Sequence, residues 1–71
     1  MRENSASFKH VSRGVFNRVC DRVYADPEMV IPVFVYYNGT NLYGDVTIEA
    51  TGGNSKAFKK ALQIFNEEFC K

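Results

Sequence analysis

Residues 29–51, MVIPVFVYYNGTNLYGDVTIEAT, decide the fold of this chain. Asn38-Gly39 divides the stretch into two apolar-rich halves. Asn-Gly is the strongest short-range hairpin signal, because both residues accept the positive φ angles of a type I′ turn. We therefore predict two antiparallel strands, residues 29–37 and residues 40–51, joined at this dipeptide.

The predicted turn fixes a register that sorts the side chains onto two faces. It places Val35 opposite Leu42 and Phe34 opposite Tyr43, and a slip by one residue would exchange the faces. The predicted inner face is apolar and contains Met29, Ile31, Val33, Val35, Leu42, Gly44, Val46 and Ile48. The predicted outer face mixes aromatic and acidic residues and contains Val30, Pro32, Phe34, Tyr36, Asn41, Tyr43, Asp45, Thr47 and Glu49.

The segments on either side of the hairpin predict two helices. In residues 7–24, apolar side chains recur at helical spacing, Ser5 or Ser7 can cap the start, and Asp26-Pro27 ends the helix. After Gly52-Gly53-Asn54, the stripe formed by Phe58, Ala61, Leu62, Phe65 and Phe69 predicts a second helix over Ser55–Phe69.

These elements predict an α+β fold with two layers and the order α-β-β-α. Both helices should cover the apolar face of the antiparallel hairpin. With 71 residues, the chain has room for a single domain over residues 1–71, of which we expect residues 1–6 to be flexible. Two strands form a narrow platform with unpaired edges, which predicts possible self-association, as a homodimer, through a sheet edge.

Composition bounds the location and the chemistry. No apolar run approaches the length of a membrane span, so we expect a cytoplasmic protein with reduced cysteines and no membrane partner. One histidine and two cysteines fall short of the four ligands of a structural zinc site, so we expect no metal and no cofactor. No nucleophile has a base and oxyanion donors beside it, and we therefore expect no enzyme activity.

The outer face is the first candidate site. A contiguous exposed aromatic cluster is typical of an interaction surface, although cross-strand aromatics can also simply stiffen a hairpin. Acidic neighbours argue against base stacking with RNA. We expect a protein-binding surface formed by Val30, Phe34, Tyr36, Tyr43, Asp45, Thr47 and Glu49. The resulting hypothesis is a small inhibitor or adaptor of the kind that phages and mobile elements direct at a host protein.

A basic pole is the alternative site, and it predicts binding of RNA or DNA. The end of the first helix and the start of the second should meet there and bring together Arg18, Arg22, Asn54, Lys56, Lys59 and Lys60. Gly53-Asn54-Ser55-Lys56 resembles the start of the last helix in double-stranded RNA-binding domains, whose second lysine after the serine is Ala57 here. Nearby acids (Asp21, Asp26, Glu28 and Glu49) could instead neutralise these cations.

Overall fold

A computed structural model describes residues 4–70 of the chain. Its elements are β1 (Asn4–Ser12), α1 (Arg13–Tyr24), β2 (Val33–Gly39), β3 (Tyr43–Ala50) and α2 (Ser55–Phe69). The strands form one antiparallel sheet in the order β1-β3-β2, so β3 is central. The α+β prediction with both helices on one side of the sheet is confirmed. The sheet has a third strand, β1, in which residues 7–12 were predicted to be helical and residues 4–6 to be flexible.

Strand β1 replaces the first part of the predicted helix. Its side chains alternate: Ser7 forms a hydrogen bond to Thr47 on the outer face, and Phe8 stacks on Phe65 of α2 at 4.1 Å. By pairing with β3, β1 satisfies backbone groups that a two-stranded hairpin would leave open. Residues 4–6, expected to be flexible, belong to this strand, whereas residues 1–3 lie outside the described part of the chain.

Ser12, and not Ser5 or Ser7, caps α1. Its Oγ accepts a hydrogen bond from the backbone N–H of Val15 at 3.2 Å, and its backbone is extended, as an N-cap requires. Just before it, the pairing of β1 with β3 is irregular between Phe8 and Val11. His10 lies in this bulge with φ of 58°, a left-handed conformation that histidine adopts more readily than most residues.

The hairpin turn lies three residues later than predicted. Thr40 donates its N–H to the carbonyl oxygen of Tyr43 at 2.9 Å, which leaves Asn41-Leu42 as the turn. The Thr40 hydroxyl oxygen accepts hydrogen bonds from the N–H groups of Leu42 and Tyr43, both at 3.2 Å. The predicted type I′ turn at residues 38 and 39 is wrong, because neither residue there has a positive φ angle.

The glycine of that dipeptide serves a close approach between strands. Gly39 pairs with Gly44 of β3. A Cβ atom on Gly39 would lie 2.3 Å from the Gly44 Cα, and one on Gly44 would lie 2.8 Å from the Asn38 carbonyl oxygen. Both positions therefore require glycine for space, even though neither needs a positive φ angle.

The segment before β2 also departs from the predicted strand. Asp26 accepts hydrogen bonds at its carbonyl oxygen from the N–H groups of Met29 and Val30, both at 3.0 Å, and at its Oδ1 from that of Glu28 at 2.9 Å. These bonds form consecutive turns over residues 25–32. Met29 is still buried from this segment, but Ile31 is 79% exposed.

The observed register differs from the predicted one by an even number of residues. Val35 pairs with Ile48 and not with Leu42, a shift of six positions. Because side chains alternate with a period of two, an even shift leaves each strand residue on its predicted face. Val33, Val35, Val46 and Ile48 are accordingly buried, whereas Leu42, in the turn, is 72% exposed.

One hydrophobic core lies between the sheet and the two helices. Its buried members are Val11, Val15, Val19, Val23, Met29, Val33, Val35, Val46, Ile48, Ala50, Ala57, Ala61, Ile64 and Phe65. The predicted span of α2 is confirmed, with Asn54 Oδ1 accepting from the N–H of Ala57 at 3.1 Å and two positive-φ glycines before the cap. Within residues 4–70, neither helix is long and apolar enough to cross a membrane.

Candidate interaction surface

The face of the sheet opposite the helices, here called the outer face, carries a mixed set of side chains. In the described structure, neither helix packs on it. Its residues are Ser5, Ser7 and Lys9 of β1, Tyr43, Asp45, Thr47 and Glu49 of β3, and Phe34, Tyr36 and Asn38 of β2. Six of the seven residues predicted for protein binding lie here; the seventh, Val30, is exposed in the connection before β2.

Two separate aromatic groups stand on the outer face. Phe34 and Tyr36 form the first, with ring centroids 6.4 Å apart, and they are 38% and 50% exposed. His10 and Tyr43 form the second, with centroids 4.4 Å apart, and Tyr43 is 47% exposed. The predicted Phe34–Tyr43 pair is wrong, because Phe34 lies opposite Glu49. At about 3.4 Å per residue, the six-residue register difference separates Phe34 from Tyr43 by about 20 Å along the sheet.

A shallow polar hollow lies between the two aromatic groups. It has a volume of about 280 Å³ and is lined by Ser7, Lys9, Tyr36, Asn38, Asp45 and Thr47. At its floor, the Ser7 and Thr47 hydroxyl oxygens are 3.1 Å apart and hydrogen bonded. The outer face therefore has polar groups at its centre and aromatic rings towards each end.

Lys9 and His10 are functional candidates that the sequence analysis missed. It assigned both to the helix predicted over residues 7–24 and therefore did not place them on the outer face. Because Lys9 lies in β1 and lines the hollow beside Asp45, the outer face carries one lysine against the two acids Asp45 and Glu49. The alternation of residues 5–9 (polar Ser5, Ser7 and Lys9 against apolar Ala6 and Phe8) was the signal that could have found them.

The predicted basic pole is divided into two parts. Arg18 and Arg22 of α1 contact glutamates near the C-terminal end of α2, away from the lysines in its first turns. Arg18 Nε is 2.9 Å from Glu68 Oε1, and Arg22 Nη1 is 2.9 Å from Glu67 Oε1 and 3.2 Å from Glu68 Oε2. Glu68 is only 3% exposed. These bonds raise the pKa of Arg22 and lower the pKa of Glu67.

The remaining cations surround the start of α2. Lys60 Nζ is 2.9 Å from Asp26 Oδ2, and this contact lowers the pKa of Asp26 and raises the pKa of Lys60. Lys56 and Lys59 are exposed and form no ion pair with any residue in 4–70. A hollow of about 330 Å³ is lined by Lys56 and Lys60 together with Glu28 and Asn54, whose side-chain oxygen accepts the hydrogen bond that caps the helix.

The two cysteines differ in exposure, and Cys20 is the one that is partly buried. Cys20 and Cys70 are free, and burial, reinforced by the charge of Asp21, raises the pKa of Cys20 to about 11. A thiol with that pKa is almost entirely protonated at neutral pH and is a poor nucleophile. Across residues 4–70, no group of three or more His, Cys, Asp or Glu side chains is arranged to hold a metal ion.

Comparison of the chain with protein-family models, with curated proteins and with solved structures found no match. The functional argument therefore depends on the surfaces described above.

Proposed function

We propose that this chain is a non-catalytic interaction module that binds a protein partner through the outer face. The observation that carries the proposal is the stacked Phe34–Tyr36 pair of β2, which remains 38–50% exposed. Phe and Tyr are typical of the centres of protein interfaces, because they supply a large contact area with few rotatable bonds.

Docking on this pair would supply a useful amount of binding energy. Each side chain buries about 150–250 Å² when it is fully covered, so the exposed fractions correspond to about 75–100 Å² each. At about 25 cal/mol per Å², covering both rings contributes about 4–5 kcal/mol before the costs of association. This is enough for the pair to dominate the affinity of a transient complex.

The charges of the outer face favour a particular kind of partner surface. Asp45 and Glu49 lie in the same row of β3 as Thr47, and Lys9 is the cation beside them. A partner with an apolar pocket for the rings and basic side chains facing the two carboxylates would be complementary. By occupying such a surface on a host protein, the module would act as an inhibitor or an adaptor.

Nucleic-acid binding is the alternative, and the ion pairs count against it. A polyanion-binding site needs cations that are free to replace counterions at phosphates. Arg18, Arg22 and Lys60 already contact carboxylates, which leaves Lys56 and Lys59 from the predicted pole. Two exposed lysines are typical of an ordinary helix surface.

The test places a photo-crosslinking residue at Tyr36 in the chain expressed in its source cell. The same residue at Leu42, which is 72% exposed in the hairpin turn, is the matched control. We expect one protein to be crosslinked from position 36 and not from position 42. Crosslinking to nucleic acid, or equal yields at both positions, would contradict the proposal.

Calorimetry with the purified partner then measures what the rings contribute. We expect the double variant Phe34→Thr, Tyr36→Thr to weaken binding by at least about 100-fold, since β-branched threonine preserves the strand while removing both rings. The variant Lys56→Glu, Lys59→Glu should bind within about twofold of the unmodified chain. The reverse ranking, in folded variants, would support the basic pole instead.

A further inference from the structure

The two edges of the sheet are protected to different degrees. On β2, the outward N–H groups of Val33 and Val35 are satisfied by the Met29 carbonyl oxygen at 3.0 Å and by the Tyr24 hydroxyl oxygen at 3.1 Å. Unpaired N–H and C=O groups on an edge strand are what another strand binds. The edge of β2 is thus partly closed by its own chain.

The edge of β1 is open over its first half. Residues 4–8 pair regularly with β3, and the alternation of antiparallel bonds turns the N–H and C=O groups of Ser5 and Ser7 outward. No residue within 4–70 binds these groups. Beyond Phe8, the bulge at His10 and the charge of Lys9 protect the edge, as both features do in edge strands generally.

We infer that residues 4–8 form a self-association edge, which pairs antiparallel with the same segment of a second copy to make a six-stranded sheet. In the register that uses all five residues, Ser5 faces Ser7 of the second copy and Ala6 faces Ala6. The segment NSASF contains no charged side chain, so two copies meet without like charges opposite each other. A two-fold axis through Ala6 makes this contact self-complementary.

The helix layer offers apolar surface near the same edge. Phe8 of β1 stacks on Phe65 at 4.1 Å, and Phe65 stacks on Phe69 at 5.4 Å. Phe69 is 47% exposed, so this run of rings leads from the edge strand to the surface of α2. The strand contact itself is only about 17 Å long, so it buries much less surface than a standard interface. We therefore expect a reversible dimer that dissociates on dilution.

Sedimentation velocity of the full chain, from low to high micromolar concentration, tests the inference. A reductant is present because the Cys70 thiol is exposed. We expect a monomer–dimer equilibrium that Ser5→Lys weakens at least tenfold, because lysines of the two copies lie diagonally opposite at about 7–8 Å. The matched control Asn38→Lys adds the same charge to the β2 edge and should change the dissociation constant less than twofold.

A strict monomer throughout this range would overturn the inference, and so would equal weakening by the two lysine variants. An intermolecular NOE between the Hα atoms of Ala6, measured on a mixture of labelled and unlabelled chains, should be observed if the register is correct. Its absence from a sample that is dimeric would also overturn the pairing. Both outer faces remain open in such a dimer, so this test is independent of the proposed function.

Discussion

Substitution of Gly44 by alanine tests the register of the hairpin. The new Cβ atom would lie 2.8 Å from three atoms: the Asn38 carbonyl oxygen, the Gly39 Cα and the Tyr37 Cζ. Two of these atoms belong to the backbone, so relief requires the strands to separate and not merely a side chain to rotate. Such a separation would also disturb the neighbouring residue pairs between β2 and β3.

The expected loss of stability follows from two opposing effects. Overpacking of this kind costs about 1–3 kcal/mol, and alanine recovers about 0.4–1 kcal/mol by reducing the entropy of the unfolded chain. We therefore expect Gly44→Ala to lower the free energy of unfolding by about 1–2 kcal/mol. For a domain of this size, the melting temperature would fall by about 5–15 °C.

Gly14→Ala provides the control. A Cβ atom there would lie 3.5 Å from Arg18 Nη1, an ordinary van der Waals distance, and Gly14 is in the first turn of α1. The same substitution should therefore leave stability unchanged or raise it by up to about 1 kcal/mol. Urea and thermal unfolding, followed by circular dichroism, measure both variants.

A neutral or stabilising Gly44→Ala would refute the reasoning. In the register with a turn at Asn38-Gly39, Gly44 lies opposite Val33, where an added methyl group would join the apolar face. Gly39→Ala does not discriminate between the two registers, because alanine would be strained in a type I′ turn as well as in the close pair. Gly44 is thus the position at which the two structures make opposite predictions.

Three other predictions concern the helices and pH. Arg18→Ala with Arg22→Ala removes two charged donors from the buried carboxylate of Glu68 and should lower the urea concentration at which the chain unfolds. Asn54→Ala removes the cap of α2 and should cost about 1 kcal/mol in urea unfolding. The pKa of Asp26 is lowered in the folded chain, so its contribution to stability is present at neutral pH and lost below about pH 4. Lys60→Gln should flatten that part of the stability–pH curve.

Each of these three has a result that would contradict it. The first would be contradicted if the double arginine variant unfolded at the same urea concentration as the original chain. For the cap, Asn54→Asp should keep its stability because aspartate also accepts from the N–H of Ala57, and an equal loss would exclude capping as the cause. For the pH prediction, an unchanged slope of the stability–pH curve at acid pH after Lys60→Gln would assign the pH dependence of stability to other carboxylates.

The local signals in the sequence predicted the parts of the fold that local energetics govern. Helix α2 begins and ends as expected, because its cap at Asn54, the glycines before it and its apolar stripe all lie within one segment. The division of the strand residues into inner and outer faces is also correct, because the error in the register is an even number of residues. These features need no knowledge of what packs against them.

Local sequence signals could not assign this segment to a strand, β1, rather than to a helix. Phe8, Val11 and Val15 fit a helical stripe, while Ala6 and Phe8 also alternate with serines. Only the open edge of β3, which is distant in sequence, decides between the two patterns. The sequence showed that two strands are a narrow platform, but it did not show that the third strand would come from this segment.

The prediction of the hairpin turn was wrong for a related reason. An Asn-Gly dipeptide favours a hairpin, but its contribution is small compared with that of the paired strands beside it. The register that pairs Gly39 with Gly44 brings two positions without side chains together and extends the ladder to Val33–Ala50. Space between the strands, which no dipeptide signal measures, therefore selected the turn at Asn41-Leu42.

This error changes the candidate surface in one respect that matters for binding. An even shift in the register keeps each strand residue on its face of the sheet, so the strand residues predicted for the outer face remain on it. How they are spaced depends on the full register, and the six-position shift separates Phe34 from Tyr43. A compact aromatic patch would suit a single pocket, whereas two ring groups flanking a polar hollow suit an elongated partner segment. Such a segment would cross all three strands, so under the proposed function we expect Lys9 and Ser7 of β1 to contribute to binding together with the rings.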